Sequence, residues 1–135
     1  MHIDTYPTPT EDHDNRPFLN GWEKGKLLVQ HCEDCKRAFF YPRPMCPYCW
    51  STNFRWSECV GRGSIVSYSK VFRPNHSAFN DEVPILLAEV KLVDGFDLLT
   101  RITDCDPDNL KIGATVRLRT DGAEKRLPLP VFVCD

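Results

Sequence analysis

No stretch of this 135-residue sequence is apolar for long enough to span a membrane. The first residues lack the apolar run of a secretory signal, so none is expected, and a cytoplasmic setting follows. An excess of one charge is also missing. The 17 Lys/Arg and 19 Asp/Glu leave a net of −2, which excludes nucleic-acid binding by bulk electrostatics. Histidine is scarce, with four residues, and no Ser/His or Cys/His spacing suggests a nucleophile with its base. There are no internal repeats, and no low-complexity block beyond a polar N-terminus. The length predicts one domain, or a small module with an appendage. A hydrophobic content of 41% and a charged content of 27% are ordinary for a globular protein.

Cysteine is present in quantity, at seven residues, and four of them are organised as Cys32-Glu-Asp-Cys35 and Cys46-Pro-Tyr-Cys49 with ten residues between the pairs. A two-residue gap lets both sulfurs of a pair face one ion from a tight turn, and two such turns complete a tetrahedron. The segment between them holds Phe39, Phe40, Tyr41, Pro42 and Pro44, too little for its own core, so a metal would supply the missing stability. Zinc is the default ion, although four thiolates also hold iron; the alternatives are disulfides or free buried cysteines. Cys59, Cys105 and Cys134 are an odd remainder at unrelated spacings, which fits a reducing compartment, with each read as a small buried hydrophobe.

The charge that does exist is uneven. Residues 27–73 carry seven Lys/Arg against three Asp/Glu (+4), and residues 74–135 carry seven against eleven (−4). Residues 1–16 are polar, with Pro7, Pro9 and three acids between Glu11 and Asp14, and read as a disordered or partner-ordered tail; His2 and His13 there read as solvated. Asn15 can cap a short helix, with Pro17 in its first turn and Gly25 at its end. Phe18, Leu19 and Trp22 give that helix one apolar face, which must pack on this chain or on a partner.

Strands are expected at Leu27–Gln30 and Phe54–Cys59 on either side of the cysteine turns, with His31 on the surface. Gly61-Arg62-Gly63 reads as a bend rather than a phosphate loop, because no helix start follows it. Beyond it the pattern is all β. Strands are expected at Ile65–Phe72, Ile85–Leu92, Phe96–Ile102 and Thr115–Thr120, then over residues 125–133, with tight turns at Asp94-Gly95 and Asp121-Gly122. The connection 103–113 has room for one helical turn capped by Asp106. Pro128 and Pro130 place the last strand at an edge. Five strands with the long connection after the third match an OB-fold barrel.

These parts in this order resemble a family of domains of unknown function that joins an N-terminal helix, a rubredoxin-like zinc ribbon and a C-terminal OB fold, described as acyl-CoA-associated. The resemblance runs from about residue 17 to 134. It is carried by Phe18-x-x-x-Trp22 with Gly25, both Cys-x-x-Cys pairs with Pro42-Arg43-Pro44, and Gly61-Arg62-Gly63. Val83-Pro84, Asp104-Cys105-Asp106-Pro107-Asp108, Leu110-x-x-Gly113 and Pro128-x-Pro130-x-Phe132 complete it. The family usually has glycine after each cysteine pair, where this chain has Lys36 and Trp50, so strain is expected at Trp50.

The resemblance implies a mainly β chain divided as tail and helix (1–26), zinc ribbon (27–60) and OB fold (61–135). It also implies a non-catalytic accessory subunit. The partner would be a thiolase-like or ketoacyl-synthase-like subunit or a sterol-carrier-type aldolase, or else a hydroxymethylglutaryl-CoA-synthase-like or enoyl-CoA-hydratase-like subunit. A CoA thioester would sit at the shared site, with Arg62, Arg73 and His76 as the residues to meet it. Phe18, Trp22, Arg43 and Trp50 are the expected docking residues, aromatic and Arg side chains being the usual interface anchors. Packing of Trp22 within the chain is the competing expectation. A single-stranded nucleic-acid module is the alternative function, weakened by the acids Glu89, Asp94 and Asp97 around Phe96, Lys91 and Arg101.

Overall fold

A computed structural model describes residues 5–119, 121 and 127–135. His2, Gly122 of the expected 121–122 turn, and residues 125–126 of the expected last strand lie outside these described residues.

Helix α1 spans Arg16–Glu23, with Asn15 in the cap position and Pro17 in the first turn. The Asn15 side chain does not cap the helix. It accepts from the Asp12 N–H and donates to the Thr10 carbonyl, fixing the turn ahead of it. Gly25, at φ 78°, ends the helix, and its N–H donates to the Trp22 carbonyl at 2.9 Å. Gly21 packs closely on the strand that follows: a Cβ there would stand 2.6 Å from Cδ1 of Leu28, so that leucine side chain would have to move.

That strand, β1 (Leu28–Cys32), is the centre of a three-stranded antiparallel sheet with β2 (Ala38–Phe39) and β3 (Phe54–Glu58) on its flanks. Gln30, 1% exposed, is satisfied at both ends of its amide. Its Nε2 donates to the Arg43 carbonyl at 2.7 Å and its Oε1 accepts from the Arg43 N–H at 3.1 Å. One buried side chain therefore pins the loop between the two cysteine turns.

The remaining strands are β4 (Arg62–Val71), β5 (Ile85–Leu92), β6 (Asp97–Thr103), β7 (Thr115–Leu118) and β8 (Phe132–Cys134). They close as a barrel in the order β4-β5-β6-β8-β7, with β7 returning to β4 and β6 parallel to β8. This is the OB layout expected from strand count and connection lengths. Asp106 accepts from the Asp108 N–H and caps a 3-10 turn at Pro107–Asn109, as expected.

Further expectations are corrected. Strand β4 begins at Arg62, so Arg62 and Gly63 pair with β7 rather than forming a free bend. Strand β8 starts only after both prolines and lies between β6 and β7, so it closes the barrel instead of forming an edge. The prolines stop its ladder early: just Ile102 with Phe132 and Thr103 with Val133 register against β6. Cys105 and Cys134 are not isolated hydrophobes, since they form a disulfide with Cα atoms 5.5 Å apart that ties the end of β8 to the turn after β6. Cys59 is free and buried, as expected.

The core is shared between the parts. Phe18, Leu27, Val29 and Ala38 from helix and ribbon join Ile65, Val90, Ile102, Val116 and Phe132 of the barrel in one buried cluster. Phe40 stacks on Phe96 at 5.8 Å and meets Phe18 in a T-shaped contact at 5.6 Å. The tail also belongs to the fold, against expectation. Tyr6 is 8% exposed, its ring 4.6 Å from Phe79. A single aromatic, with no periodic pattern around it, is enough to anchor it.

Candidate functional site

The two cysteine turns are built alike. Cys32 N–H donates to the Arg37 carbonyl and Cys46 N–H to the Ser51 carbonyl, each at 2.9 Å. Lys36 and Trp50 follow at φ 65° and 66°, and their N–H groups return to the carbonyls of Cys32 and Cys46. Strain was expected at the second of these left-handed positions, Trp50. Backbone N–H groups also reach sulfur, from Cys35 to Cys32 Sγ and from Tyr48 to Cys46 Sγ, at 3.4 Å in both cases. Asp34 accepts from the Ser51 hydroxyl and ties one turn to the other.

All four sulfurs lie within 4.8 Å of one another, with Cys32–Cys49 at 3.5 Å and Cys35–Cys46 at 3.6 Å. A tetrahedral ion with metal–sulfur bonds of about 2.3 Å needs sulfurs about 3.8 Å apart, so the donor set fits one such ion. The electrostatics ask for it. The Cys35 N–H leads in pulling the Cys32 thiol down to about 7. At Cys49 the Ser51 N–H acts the same way, but lost hydration and the neighbouring sulfurs win and push the thiol up to about 12. Four thiolates share this space only around a cation. Filled by four sulfurs, the ion would have no position left for water or substrate, and its role would be structural.

The other expected residues do not converge. Arg62 opens β4 and Arg73 lies in the bend beyond its end at Val71, both exposed. His76 is spent locally: its Nδ1 accepts from the Ala78 N–H at 3.0 Å and caps a 3-10 turn at Ser77–Glu82. Phe18 and Trp22 are 5% and 4% exposed, so the chain itself covers the helix face expected to dock. Arg43 is half-buried in the pinned loop, with its Nε donating to the Tyr41 carbonyl. Trp50 alone of the expected docking residues stands in solvent, 77% exposed.

Sequence reasoning missed a polar cluster on the barrel. Arg101 Nη1 lies 2.7 Å from Glu82 Oε1, and the Tyr6 hydroxyl donates to Glu82 at 2.6 Å. The side chains of Arg101 and Glu82 are 18% and 7% exposed. Residues 6, 82 and 101 are too far apart in sequence for any spacing rule to connect them.

Residues 19–55 match the family described as ChsH2, rubredoxin-like zinc ribbon domain, and residues 56–121 match ChsH2, C-terminal OB-fold domain. A protein of Thermomonospora curvata named as a probable enoyl-CoA hydratase alpha subunit is 35% identical over 126 residues, which are 93% of this chain. The chain spans only 39% of that relative's length. A DUF35 domain-containing scaffold protein of Methanothermobacter thermautotrophicus is 35% identical over 97 residues, 71% of this chain and 72% of that protein. Among solved structures, a chain of the Ltp2-ChsH2(DUF35) aldolase superimposes with a TM-score of 0.77 at 33% identity, over 93% of this chain and 98% of that one. A DUF35 protein of unknown function from Sulfolobus solfataricus shares the fold, with a TM-score of 0.64 at 18% identity over 91% and 86% of the two chains. With ribbon, barrel and their order all matched, this chain belongs to the DUF35 family, in its ChsH2 form of a rubredoxin-like zinc ribbon followed by an OB fold.

Proposed function

We propose that this chain is a non-catalytic, zinc-binding accessory subunit of a thiolase-superfamily acyltransferase or aldolase complex, where it helps to form or bridge the acyl-CoA site. The likeness over nearly the whole length to a chain of the Ltp2-ChsH2(DUF35) aldolase carries this reading. It is supported by a metal site with no open position and by the scatter of Arg62, Arg73 and His76, which leaves no catalytic constellation among the expected residues. The ion is zinc at Cys32, Cys35, Cys46 and Cys49. The working parts are the tail and helix of 1–26, the ribbon of 27–60 and the barrel of 61–135, and the setting is cytoplasmic. Among the described residues, no helix is long and apolar enough to cross a membrane.

The docking surface falls on the ribbon, around Trp50 and the exposed Tyr48 and Tyr41. Trp50 sits in a left-handed conformation that costs a bulky residue energy, and it gains little packing within the chain in return. An interface anchor accounts for both facts. A hydratase complex is the second reading, favoured by the Thermomonospora relative's name. Single-stranded nucleic acid is disfavoured, because Phe96 on the barrel wall is 5% exposed and offers no stacking face.

The test is affinity purification of the tagged chain from its native host, with identification of what co-elutes. A thiolase-like subunit at a fixed stoichiometry is expected, and no thiolase, aldolase or hydratase turnover by the isolated chain. Turnover by the isolated chain, lost on a single His or Cys change outside the ribbon, would overturn the reading. A hydratase-fold partner would select the second.

A further inference from the structure

Strand β4 is paired along the whole of one edge and only the start of the other. Toward β5 its ladder runs from Gly63 to Val71. Toward β7 the ladder stops at Ser64, and Ile65 follows with bonds to Gly113 and Ala114. Beyond Ile65, no strand among the described residues covers this second edge. A strand in a barrel wall ordinarily alternates buried and exposed positions. Here residues 66–70 are all exposed, so both faces of the strand meet water.

The hydrogen-bond phase identifies the free groups. Leu92 of β5 donates to the carbonyl of Phe96, just before β6, and Val93 donates to the carbonyl of Arg62 on β4, each at 2.9 Å. Even-numbered residues of β5 therefore face β6, and odd-numbered ones face β4. The odd-numbered Ile85, Leu87 and Glu89 register with Val71, Ser69 and Ser67. Those three spend their N–H and C=O groups on β5. Tyr68 and Lys70 turn theirs to the open side, where no hydrogen bond among the described residues meets them. The usual guards of an exposed edge are weak here. The register shift lies at its start, between Ile65 and Ser67, and residues 62–73 contain no proline. The one lysine on the edge, Lys70, is balanced by Asp108 at 3.6 Å.

We propose that this edge pairs with the same edge of a second copy of the chain, antiparallel across a two-fold axis at Ser69. In that register Tyr68 of one copy stands opposite Lys70 of the other, and their free groups exchange both N–H···O bonds. No charged residue meets its like. Ser69 faces itself, Ser67 faces Val71, and the Tyr68 ring lies along the aliphatic stem of Lys70. Each copy brings a Lys70–Asp108 pair to the axis, so both signs of charge meet there in equal number. Val66 and Phe72, 40% and 64% exposed, come together at the ends of the pairing and leave water. A strand pair of this length is at the low end of specific interfaces, so the association is weak and depends on concentration. The edge is separate from the ribbon turn that carries Trp50. The dimer therefore goes beyond the accessory-subunit reading and does not depend on it.

Sedimentation velocity of the zinc-loaded full chain tests the pairing. Dimer should be present at about 100 μM protein and absent at about 1 μM. Tyr68→Pro removes an N–H that only the dimer uses and spares the ladder to β5, so the folded variant should associate about tenfold more weakly or worse. Ser69→Lys, at an exposed position, sets like charges face to face on the axis and should weaken association to the same extent. Ser69→Cys should close an intermolecular disulfide under oxidised glutathione, because the Cα atoms of such a non-hydrogen-bonded pair stand about 4.5 Å apart. Ser67→Cys, which faces Val71, should not. A chain that stays monomeric at about 100 μM overturns the proposal. So does unchanged association of folded Tyr68→Pro or Ser69→Lys, or cross-linking of Ser67→Cys as readily as Ser69→Cys. If the free chain is monomeric while a co-purified partner shields the Tyr68 and Lys70 amides from hydrogen exchange, the edge takes a strand of that partner and the proposal is wrong. Loss of the dimer in Ser69→Lys with the partner still co-purifying leaves the accessory-subunit reading standing, so the two fail separately.

Discussion

The indole Nε1–H of Trp22 donates to the main-chain carbonyl of Leu127 at 2.7 Å, joining residues 105 apart in sequence. The acceptor belongs to the segment ahead of β8 that forms no strand ladder, so the tryptophan supplies the partner its carbonyl would otherwise lack. The same ring is buried between helix and barrel. Helix α1 is therefore a structural strut. Any effect of Trp22 on partner binding acts through the fold.

Trp22→Phe should cost about 1 kcal/mol of stability, the worth of one neutral hydrogen bond plus some lost area. Trp22→Ala should cost about 3–5 kcal/mol by opening a cavity. Urea unfolding of both variants measures the pair. Equal stability of Trp22→Phe and wild type would mean the bond contributes nothing net.

Purified protein should carry one equivalent of zinc, and elemental analysis showing neither zinc nor iron near that amount would refute the site. Cys46 is fully buried among the ligands, so Cys46→Ser should lose the metal and melt the ribbon. Because Phe18, Leu27, Val29 and Ala38 share a core with the barrel, chelation should also lower the barrel's denaturation midpoint. Near- and far-ultraviolet circular dichroism with and without chelator would follow both changes.

The metal ligands, the barrel and the hairpin at Gly95 were legible because each is written locally, as a ligand spacing, a strand period or a turn residue. The disulfide was not, since a separation of 29 residues carries no pairing information until β8 is laid against β6 and β7. The same holds for Tyr6, whose partners lie 76 and 95 residues away. The place of β8 was misread because Pro128 and Pro130 were taken to lie inside the strand, whereas they precede it. The residues expected to dock divided by burial. Nothing in the residue types separates Trp22, which the barrel covers, from Trp50, which it leaves in water.

Burial alone would raise the Glu82 carboxyl, but hydrogen bonds from Tyr6 and Arg101 outweigh it and hold the group below its ordinary 4.5. A depressed folded-state value means the stabilisation is complete above the unfolded value and is lost as pH falls through the folded one. Wild-type stability should therefore decline below pH 4.5, and Glu82→Gln should show a shallower decline from a starting point roughly 3 kcal/mol lower, because Arg101 loses its buried partner. Urea midpoints from neutral pH into the acid range test this. Parallel curves for the two proteins would remove Glu82 as the titrating group.

The Cys105–Cys134 disulfide closes a 29-residue separation, and opening it should cost about 3–4 kcal/mol through the freed unfolded chain. The loss should appear as a lower urea midpoint in reductant, and Cys105→Ser should match it without reductant. Thiol titration of unfolded, demetallated protein should count five free cysteines. A count of seven would show that the pair is reduced in the protein as purified. Cytoplasmic glutathione would favour that outcome, so the count also bears on where the chain works.

Trp50 and Lys36 occupy equivalent left-handed positions, at φ 66° and 65°, and both lie exposed. Each pays roughly 1–2 kcal/mol for that conformation, and replacement by glycine relieves it at the cost of about 0.5–1 kcal/mol of unfolded-chain entropy. Trp50→Gly and Lys36→Gly should both keep zinc and unfold at the wild-type midpoint or slightly above it. They should part company in co-purification. Losing the Trp50 ring should weaken the complex about tenfold or more, as removal of an aromatic anchor does, while Lys36→Gly leaves it unchanged. If Trp50→Gly holds its partner as tightly as wild type, the strained tryptophan is no anchor and the docking surface lies elsewhere on the chain.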